Sequence, residues 1–323
     1  MIRLKIPLTN VRSMMEEKET RILVCDKMAK EGLETLSKAG FYVDYRPQIT
    51  KEELLKVIGS YDAVIVRSRT KITKEVIELG KKLKVIGRAG VGLDNIDVKT
   101  AKERNIKVLN APEALSNAVA ELTIGLMISL ARGIHKGHLH LRKGEWIKNQ
   151  LLGTELYGKT LGIIGFGRIG RRVAKLAHAL GMKILVYDIV KPEEEELRSV
   201  EAKLVSLDEL LSSSDFVSLH VPATPETYHL INEEKLRKMK KDAYLINTSR
   251  GSVVNEEDLV RALREGWIKG AALDVFEEEP PKNEALLSLE NVLLTPHIGS
   301  QTKEAQVQTA ISIAEKVISA LKE

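Results

Sequence analysis

The stretch LGIIGFGRIGRRVA, residues 161–174, restricts the fold more than any other part of this chain. An apolar, β-branched run meets Gly165, Gly167 and Gly170 in a G-x-G-x-x-G spacing, and a helix-forming run follows at once. Glycines at this spacing permit a tight strand-to-helix turn and let a ligand approach the backbone, just where a helix N-terminus offers free N–H groups. Alone the pattern is weak, because any close-packed turn of this kind needs small residues. The next β-branched run, KILVYD, ends in Asp188, 18 residues beyond Gly170, where a carboxylate can accept hydrogen bonds from a ribose diol. Together the two features point to a dinucleotide held at the carboxyl edge of a parallel sheet.

Asp188 also discriminates between dinucleotides. A carboxylate there repels a 2′-phosphate, and Ile189 and Val190 supply no guanidinium to receive one, so NAD is favoured over NADP. Lys191 is the one nearby cation that could admit some NADP.

The rest of the chain repeats the strand-then-helix rhythm of βαβ units. Strands are expected at 21–25, 62–66, 83–87 and 106–110, and again at 161–165, 183–188, 215–220, 243–247, 270–274 and 291–295. Between the two series, PEALSNAVAELTIGLMISLARGIHKGHLHLRKGEW suits a long, mostly buried helix joining two domains. At 323 residues the chain has material for two such units. The fold class expected is α/β, with two doubly wound parallel-sheet domains.

Composition narrows the partners. No apolar run approaches the roughly 20 residues a membrane span needs. The 50 basic residues are interleaved with 45 acidic ones, so a net charge of +5 gives no basic block for nucleic acid. The single cysteine, Cys25, sits in the apolar run RILVCD and reads as a small core residue, in keeping with a reducing cytoplasm. Residues 1–19 lack the apolar core and cleavage site of a secretory signal and read as a loose arm, with Met14 or Met15 as alternative starts. Abundant Lys and Glu beside little Gln is a balance found in proteins built for heat.

Three late strands end in residues able to do chemistry. AYLINTSRG ends in Arg250, GAALDVFEEEP in acids, and NVLLTPHIGS in His297. Ligands of open α/β sheets bind outside the strands' carboxyl ends. Each residue alone has a blander reading, a surface ion pair for the arginine and a turn for the histidine. Together beside a dinucleotide they suit reduction of a 2-oxo acid. Arginine holds a carboxylate in a forked pair, histidine moves the proton that accompanies the hydride, and an acid beside the imidazole favours its protonated form.

From about residue 20 onward the chain resembles the D-2-hydroxyacid dehydrogenase family, and within it the members acting on 3-phospho-D-glycerate. The resemblance rests on VRSRTKIT, VIGRAGVGLDNIDV, VAELTIGLMI, the glycine fingerprint, LINTSRGSVVNEEDLVRAL, ALDVFEEEPP and NVLLTPHIGSQTKEAQ, in that order. It implies that Arg250 binds the substrate carboxylate and keto oxygen, that His297 is the acid/base, and that Glu279 pairs with His297. Glu277 and Glu278 are then left as a solvated turn. It implies a cofactor crevice of Gly165, Gly167, Arg168, Ile169, Gly170, Asp188, His220, Val221, Pro222, Thr248, Ser249, Arg250, Asp274, His297, Gly299 and Ser300, with Asp274 near the nicotinamide. For the substrate it implies backbone contacts from Gly90, Val91 and Gly92 and phosphate contacts from Arg67, Ser68 and Arg69. Many relatives have Thr or Ser at Val91, so only its backbone is expected to contribute.

The implied architecture is a Rossmann-type NAD domain over 108–301 and a smaller, flavodoxin-like substrate domain over 20–107 plus 302–323. The implied reaction interconverts 3-phospho-D-glycerate and 3-phosphooxypyruvate in serine biosynthesis. A glyoxylate, hydroxypyruvate or D-lactate reductase is the alternative, and a corepressor-like, nucleotide-sensing interaction protein a more distant one. The arginines of RSRT and the TKEAQ after His297 favour the phosphorylated substrate. Serine-inhibited relatives carry a C-terminal regulatory domain, and an ending at Glu323 leads us to expect none of that control. A homodimer or homotetramer is implied, with the helix near 112–132 and its loop as interface. His135, His138 and His140 invite a metal reading, but no cysteine or acidic partner stands at ligand spacing, so no metal is expected.

Overall fold

The computed structural model describes residues 19–323, so the arm expected over 1–19 lies, save its last residue, outside the described residues. β1 (Arg21–Val24), β2 (Tyr42–Tyr45), β3 (Ala63–Val66), β4 (Val85–Arg88) and β5 (Lys107–Asn110) form one sheet in the order 2-1-3-4-5. β6 (Thr160–Ile164), β7 (Lys183–Tyr187), β8 (Lys203–Leu204), β9 (Phe216–Leu219), β10 (Tyr244–Asn247), β11 (Gly270–Leu273) and β12 (Val292–Leu294) form a second in the order 12-11-10-9-6-7-8. Every pairing is parallel.

Parallel strands buried on both faces are apolar throughout rather than alternating. That is why β3, β9, β10 and β11 were readable, each being buried at every position. The two strands absent from the sequence reading are edges. β2 is YVDY with both tyrosines exposed, and β8 is two exposed residues. An edge strand needs no continuous apolar run, so it leaves little trace in the sequence.

The single long helix expected after residue 112 is two. Ser116–Arg132 is buried along most of its length and ends at Gly133, whose φ of +61° is the left-handed conformation that closes a helix. The next helix, Ile134–Arg142, departs at 65°. No single described helix is long and apolar enough to cross a membrane.

The final helix, Lys303–Lys322, is capped by Thr302, whose hydroxyl accepts from Ala305 N–H at 3.1 Å. It lies on the first sheet, burying Ile313, Ala314 and Val317 among Ile22, Val24 and Val85. The approach is close enough that a Cβ on Gly32 would sit 2.6 Å from the Ala310 carbonyl oxygen, and one on Gly87 2.8 Å from Val317. In the second sheet the strand order reverses between β6 and β9, and the crevice at that reversal is where a ligand of a doubly wound sheet binds.

Candidate active site

The three fingerprint glycines stand at the end of β6 and each meets a different demand. Gly165 has φ +93°, and a Cβ on it would lie 2.6 Å from the His220 carbonyl oxygen after β9. Gly170 packs its Cα against the turn, where a Cβ would lie 2.1 Å from the Gly165 oxygen. Gly167 faces open space, with nothing within 4 Å of a Cβ position, and precedes the helix Arg168–Ala179, whose first turn has no side-chain cap. An open cradle before uncapped N–H groups fits a pyrophosphate.

Asp188 reaches back to this loop. Its Oδ2 accepts from Phe166 N–H at 2.6 Å and its Oδ1 from Val190 N–H at 2.9 Å, while Ile189 and Val190 are exposed. Arg168 is exposed 3.6 Å from Glu113, and Ile169 is half-buried against Val119. Val221 packs beside Gly165, with Pro222 next along the chain. His220 is partly buried, with Nε2 on the Ser218 hydroxyl at 2.8 Å and Nδ1 enclosed without a protein partner. Burial pushes its imidazole far below the usual range, so it lines the crevice as a neutral ring.

At the end of β10, buried Asn247 shapes the turn that presents Arg250. Its Oδ1 accepts from the Ser249 N–H at 3.0 Å and hydroxyl at 2.8 Å, and its Nδ2 donates to the Arg250 carbonyl at 2.8 Å. The Thr248 hydroxyl lies 2.9 Å from that of Thr123. The hydroxyls of Thr248 and Ser249 are turned into the protein, which leaves their backbone as the part that can face the crevice. Arg250 extends away, donating from Nη1 to the Ser249 carbonyl at 2.6 Å and from Nε to Asp94 at 3.0 Å. Asp94 belongs to the loop after β4 in the other sheet, which places Arg250 between the two sheets.

β11 delivers Asp274, 1% exposed, into the loop that follows β12. Its carboxylate accepts from the Thr295 hydroxyl at 2.6 Å and from Ile298 and Gly299 N–H, both at 2.8 Å. That grip holds His297 at φ +50°, a conformation costing a non-glycine residue about 1–3 kcal/mol, of the kind that clusters at functional sites. Gly299 is buried and the Ser300 carbonyl accepts from Gln306 at 2.7 Å. His297 Nδ1 lies 2.8 and 3.0 Å from the two Glu279 oxygens. Burial pushes the Glu279 carboxyl up, but the hydrogen bond and charge of His297, the Phe276 N–H and the Arg250 guanidinium outweigh it and hold the carboxyl below the usual range.

Across the cleft, buried Asp26 organises the RSRT loop. Its carboxylate accepts from Arg67 N–H at 2.5 Å and from the Thr70 hydroxyl at 2.7 Å. Arg69 is committed to the same structure, donating to the carbonyls of Cys25 at 2.6 Å, Ile49 at 3.0 Å and Pro47 at 3.2 Å and pairing with Asp26 at 2.9 Å. It therefore ties these loops together, while its half-exposed side chain still lines the neighbouring cavity. Arg67 is the more buried of the two, with Nη1 3.5 Å from the Lys27 carbonyl, and burial pushes its guanidinium down. Ser68 is exposed on the rim of a cavity of about 360 Å³ that Arg67 and Gln301 also line.

Arg88 was overlooked, although it ends β4 just as Arg250 follows β10. Its Nη1 donates to the Ala89 carbonyl at 3.0 Å and its Nε is buried without a partner. Burial, then the guanidiniums of Arg250 and Arg67, push it down to about 10. Gly90 and Gly92 are where this crowding is accommodated. A Cβ would fall 1.4 Å from Arg88 Nη1 at Gly90 and 1.8 Å from Arg250 Nη2 at Gly92. Between them, Val91 is half-buried, its carbonyl accepting from Asn110 at 2.6 Å.

The three consecutive glutamates part company. Glu279 faces His297, and Glu278 is exposed and pairs with Lys282. Glu277 is exposed, as expected of a turn, but it is also tied down, since its carboxylate accepts from Glu256 N–H at 2.9 Å and lies 3.1 Å from His229 Nε2.

Residues 124–299 match the sequence profile of the D-isomer specific 2-hydroxyacid dehydrogenase, NAD binding domain. The chain is 50% identical over 298 residues to a D-3-phosphoglycerate dehydrogenase of Methanocaldococcus jannaschii, covering 92% of this chain and 56% of that protein, so it spans little more than half the length of that relative. It is 47% identical over 315 residues to a hydroxypyruvate reductase of Thermotoga maritima, with 97% of both chains covered. Among solved structures, a glyoxylate reductase from Paecilomyes thermophila superposes with a TM-score of 0.87 at 35% identity, over 95% of this chain and 96% of that one. The chain belongs to the D-2-hydroxyacid dehydrogenase family, and residues 124–299 are its NAD-binding portion.

Proposed function

We propose that this chain oxidises 3-phospho-D-glycerate to 3-phosphooxypyruvate with NAD, the first step of the phosphorylated route to serine. The observation that carries this reading is the packing of two guanidiniums, Arg88 and Arg250, against the Gly90–Gly92 turn, with Arg67 lining the neighbouring cavity and the His297–Glu279 pair completing the site. Like charges gathered this way call for a polyanion, and a carboxylate plus a phosphate supplies one. Held by the Gly165–Gly170 turn and Asp188, NAD would supply the hydride acceptor. The residues of the chain do the rest: Arg250 holds the carboxylate, the 90–92 backbone lies beside it, and His297 takes the hydroxyl proton through Nε2 while Glu279 holds Nδ1.

The division of labour proposed places the substrate on residues 20–107 with 302–323 and NAD on 108–301. A second reading, hydroxypyruvate or glyoxylate reduction, is favoured by the ties of Arg69 to Asp26 and to loop carbonyls and by the end-to-end match to a hydroxypyruvate reductase. Initial rates followed at 340 nm with phosphooxypyruvate, hydroxypyruvate, glyoxylate and pyruvate, each with NADH and NADPH, decide between them. We expect kcat/KM to be highest for phosphooxypyruvate with NADH, and a preference for an unphosphorylated acid would transfer the assignment to the second reading.

We further propose a homodimer, supported by exposed apolar residues on and after the helix Ile134–Arg142, among them Leu141, Trp146 (79% exposed) and Leu152 (93%). Burying such side chains favours association at roughly 25 cal/mol per Å² of apolar surface. Sedimentation at micromolar concentration should give twice the chain mass, and a monomer there would sink the idea.

A further inference from the structure

We propose that Glu277 is a positioning residue for the reaction, holding the one stretch of backbone on which both Arg250 and Glu279 depend. The proposal rests on the reading above that Arg250, Glu279 and His297 carry the chemistry.

The shared backbone is that of Phe276 and Glu277. On one side it receives Gly251, the residue after Arg250, so closely that a Cβ there would lie 1.8 Å from the Phe276 carbonyl carbon and 2.4 Å from the Glu277 nitrogen. On the other side the Phe276 N–H donates to Glu279 Oε1 at 3.3 Å. A shift of residues 276–277 therefore moves the arginine's turn and the histidine's partner together.

Glu277 is fastened at both of its polar ends. Its N–H donates to Glu256 Oε1 at 2.7 Å, and its own Oε1 accepts from the Glu256 N–H at 2.9 Å. The second bond caps the helix Glu256–Glu265, in a chain segment that begins only five residues after Gly251. His229 adds a third fastening from another loop. Asn255 Nδ2 lies 3.3 Å from His229 Nδ1, which leaves the Nε2–H to donate to Glu277 Oε1 at 3.1 Å. The loop bearing His229 is in turn tied to the arginine's turn, since His229 N–H donates to the Ser252 carbonyl at 2.8 Å.

Stability alone is a poor explanation for this arrangement. Two neighbouring carboxylates repel, and burial together with the charge of Glu277 pushes the Glu256 carboxyl up despite the Glu277 N–H it accepts. What the reciprocal bonds secure is register between the 250–256 and 276–279 segments, and misplacement by about 1 Å in such a frame can cost a hundredfold in rate.

The test compares E277A, E277Q and E278A in steady-state reduction of whichever oxo acid the parent enzyme turns over best, at a temperature where each variant is folded. Expected for E277A is a fall in kcat of about tenfold to a hundredfold with a raised KM for the oxo acid, and unchanged NADH binding by fluorescence. E277Q keeps an acceptor oxygen for Glu256 N–H and His229 and should recover most of the lost turnover, and E278A should match the parent. E277A with kcat and KM within about twofold of the parent, whatever its melting temperature, would overturn the proposal, as would E277Q impaired as badly as E277A. Should E277A fail to fold, E277D replaces it under the same criteria, since it keeps the charge and shortens the reach. Loss of turnover in H297Q beside a parent-like E277A would overturn this proposal alone, whereas an active H297Q would remove the reading on which it rests.

Discussion

Replacing His297 by Gln is expected to leave NADH affinity within about twofold of the parent and to cut turnover at least about a hundredfold. The reasoning starts from geometry. His297 Nδ1 is occupied by both oxygens of Glu279, so Nε2 is the nitrogen left to exchange a proton with substrate. Gln fills similar space on the same strained backbone but has no group that takes up or releases a proton near neutral pH. Turnover of H297Q near the parent rate would remove His297 from the mechanism. E279Q should turn over more slowly than the parent but faster than H297Q. Glu279 is held ionised down to unusually low pH, so in the parent its charge beside the imidazole persists across the working range. Gln removes that charge, and E279Q with the parent's kcat would count against the pairing.

The second large effect is expected at Asp274, which touches no reacting group through its carboxylate. Asp274→Ala leaves Thr295 Oγ1, Ile298 N and Gly299 N without their shared acceptor in a buried site. Buried donors stripped of a partner cost about 1–3 kcal/mol each before any water relieves them, so a net loss of roughly 2–4 kcal/mol in urea unfolding is expected. Activity should fall further than the stability loss explains, by about tenfold or more, because the same grip keeps His297 in the left-handed conformation. D274N should fall between D274A and the parent, since its Oδ1 can still accept from Thr295 and Ile298 while its amide nitrogen faces the Gly299 N–H with another donor. A midpoint shift worth under about 1 kcal/mol, with parent turnover, would show that the loop holds itself.

The two large effects illustrate which parts of this site are legible in a sequence. His297, Glu279 and Arg250 could be named because strand ends are recognisable from unbroken apolar runs, and in a parallel sheet strand ends converge. Asp274 was named too, as a neighbour of the nicotinamide. Its grip on the His297 loop was not legible, because that depends on β12 lying beside β11. Thr248 and Ser249 follow the same pattern: their positions along the chain were readable, but the inward turn of their hydroxyls is imposed by Asn247 and by Thr123 on a helix 125 residues earlier.

Charge was the least readable feature. Arg67, Arg69 and Arg88 lie within 22 positions of one another, and nothing in their spacing says which guanidinium is spent on loop carbonyls and which is left in the cleft. Asp26 and the Cys25, Pro47 and Ile49 carbonyls claim Arg69 only because β1 stands between β2 and β3. The ties of Glu277 were hidden for a like reason. Three consecutive glutamates before two prolines read as solvent-facing, and Glu256 and His229 arrive from elsewhere in the chain to meet the first of them.

By itself, then, the order of residues determined the two parallel sheets, the dinucleotide turn with its acidic partner, and the three strand ends after which Arg250, Glu279 and His297 stand. These follow from periodicity and backbone conformation, which act over a few residues. The tertiary structure alone decided which polar groups remain free once neighbours are satisfied. A buried donor or acceptor takes whatever partner the fold brings within about 3 Å, and sequence distance does not constrain that choice.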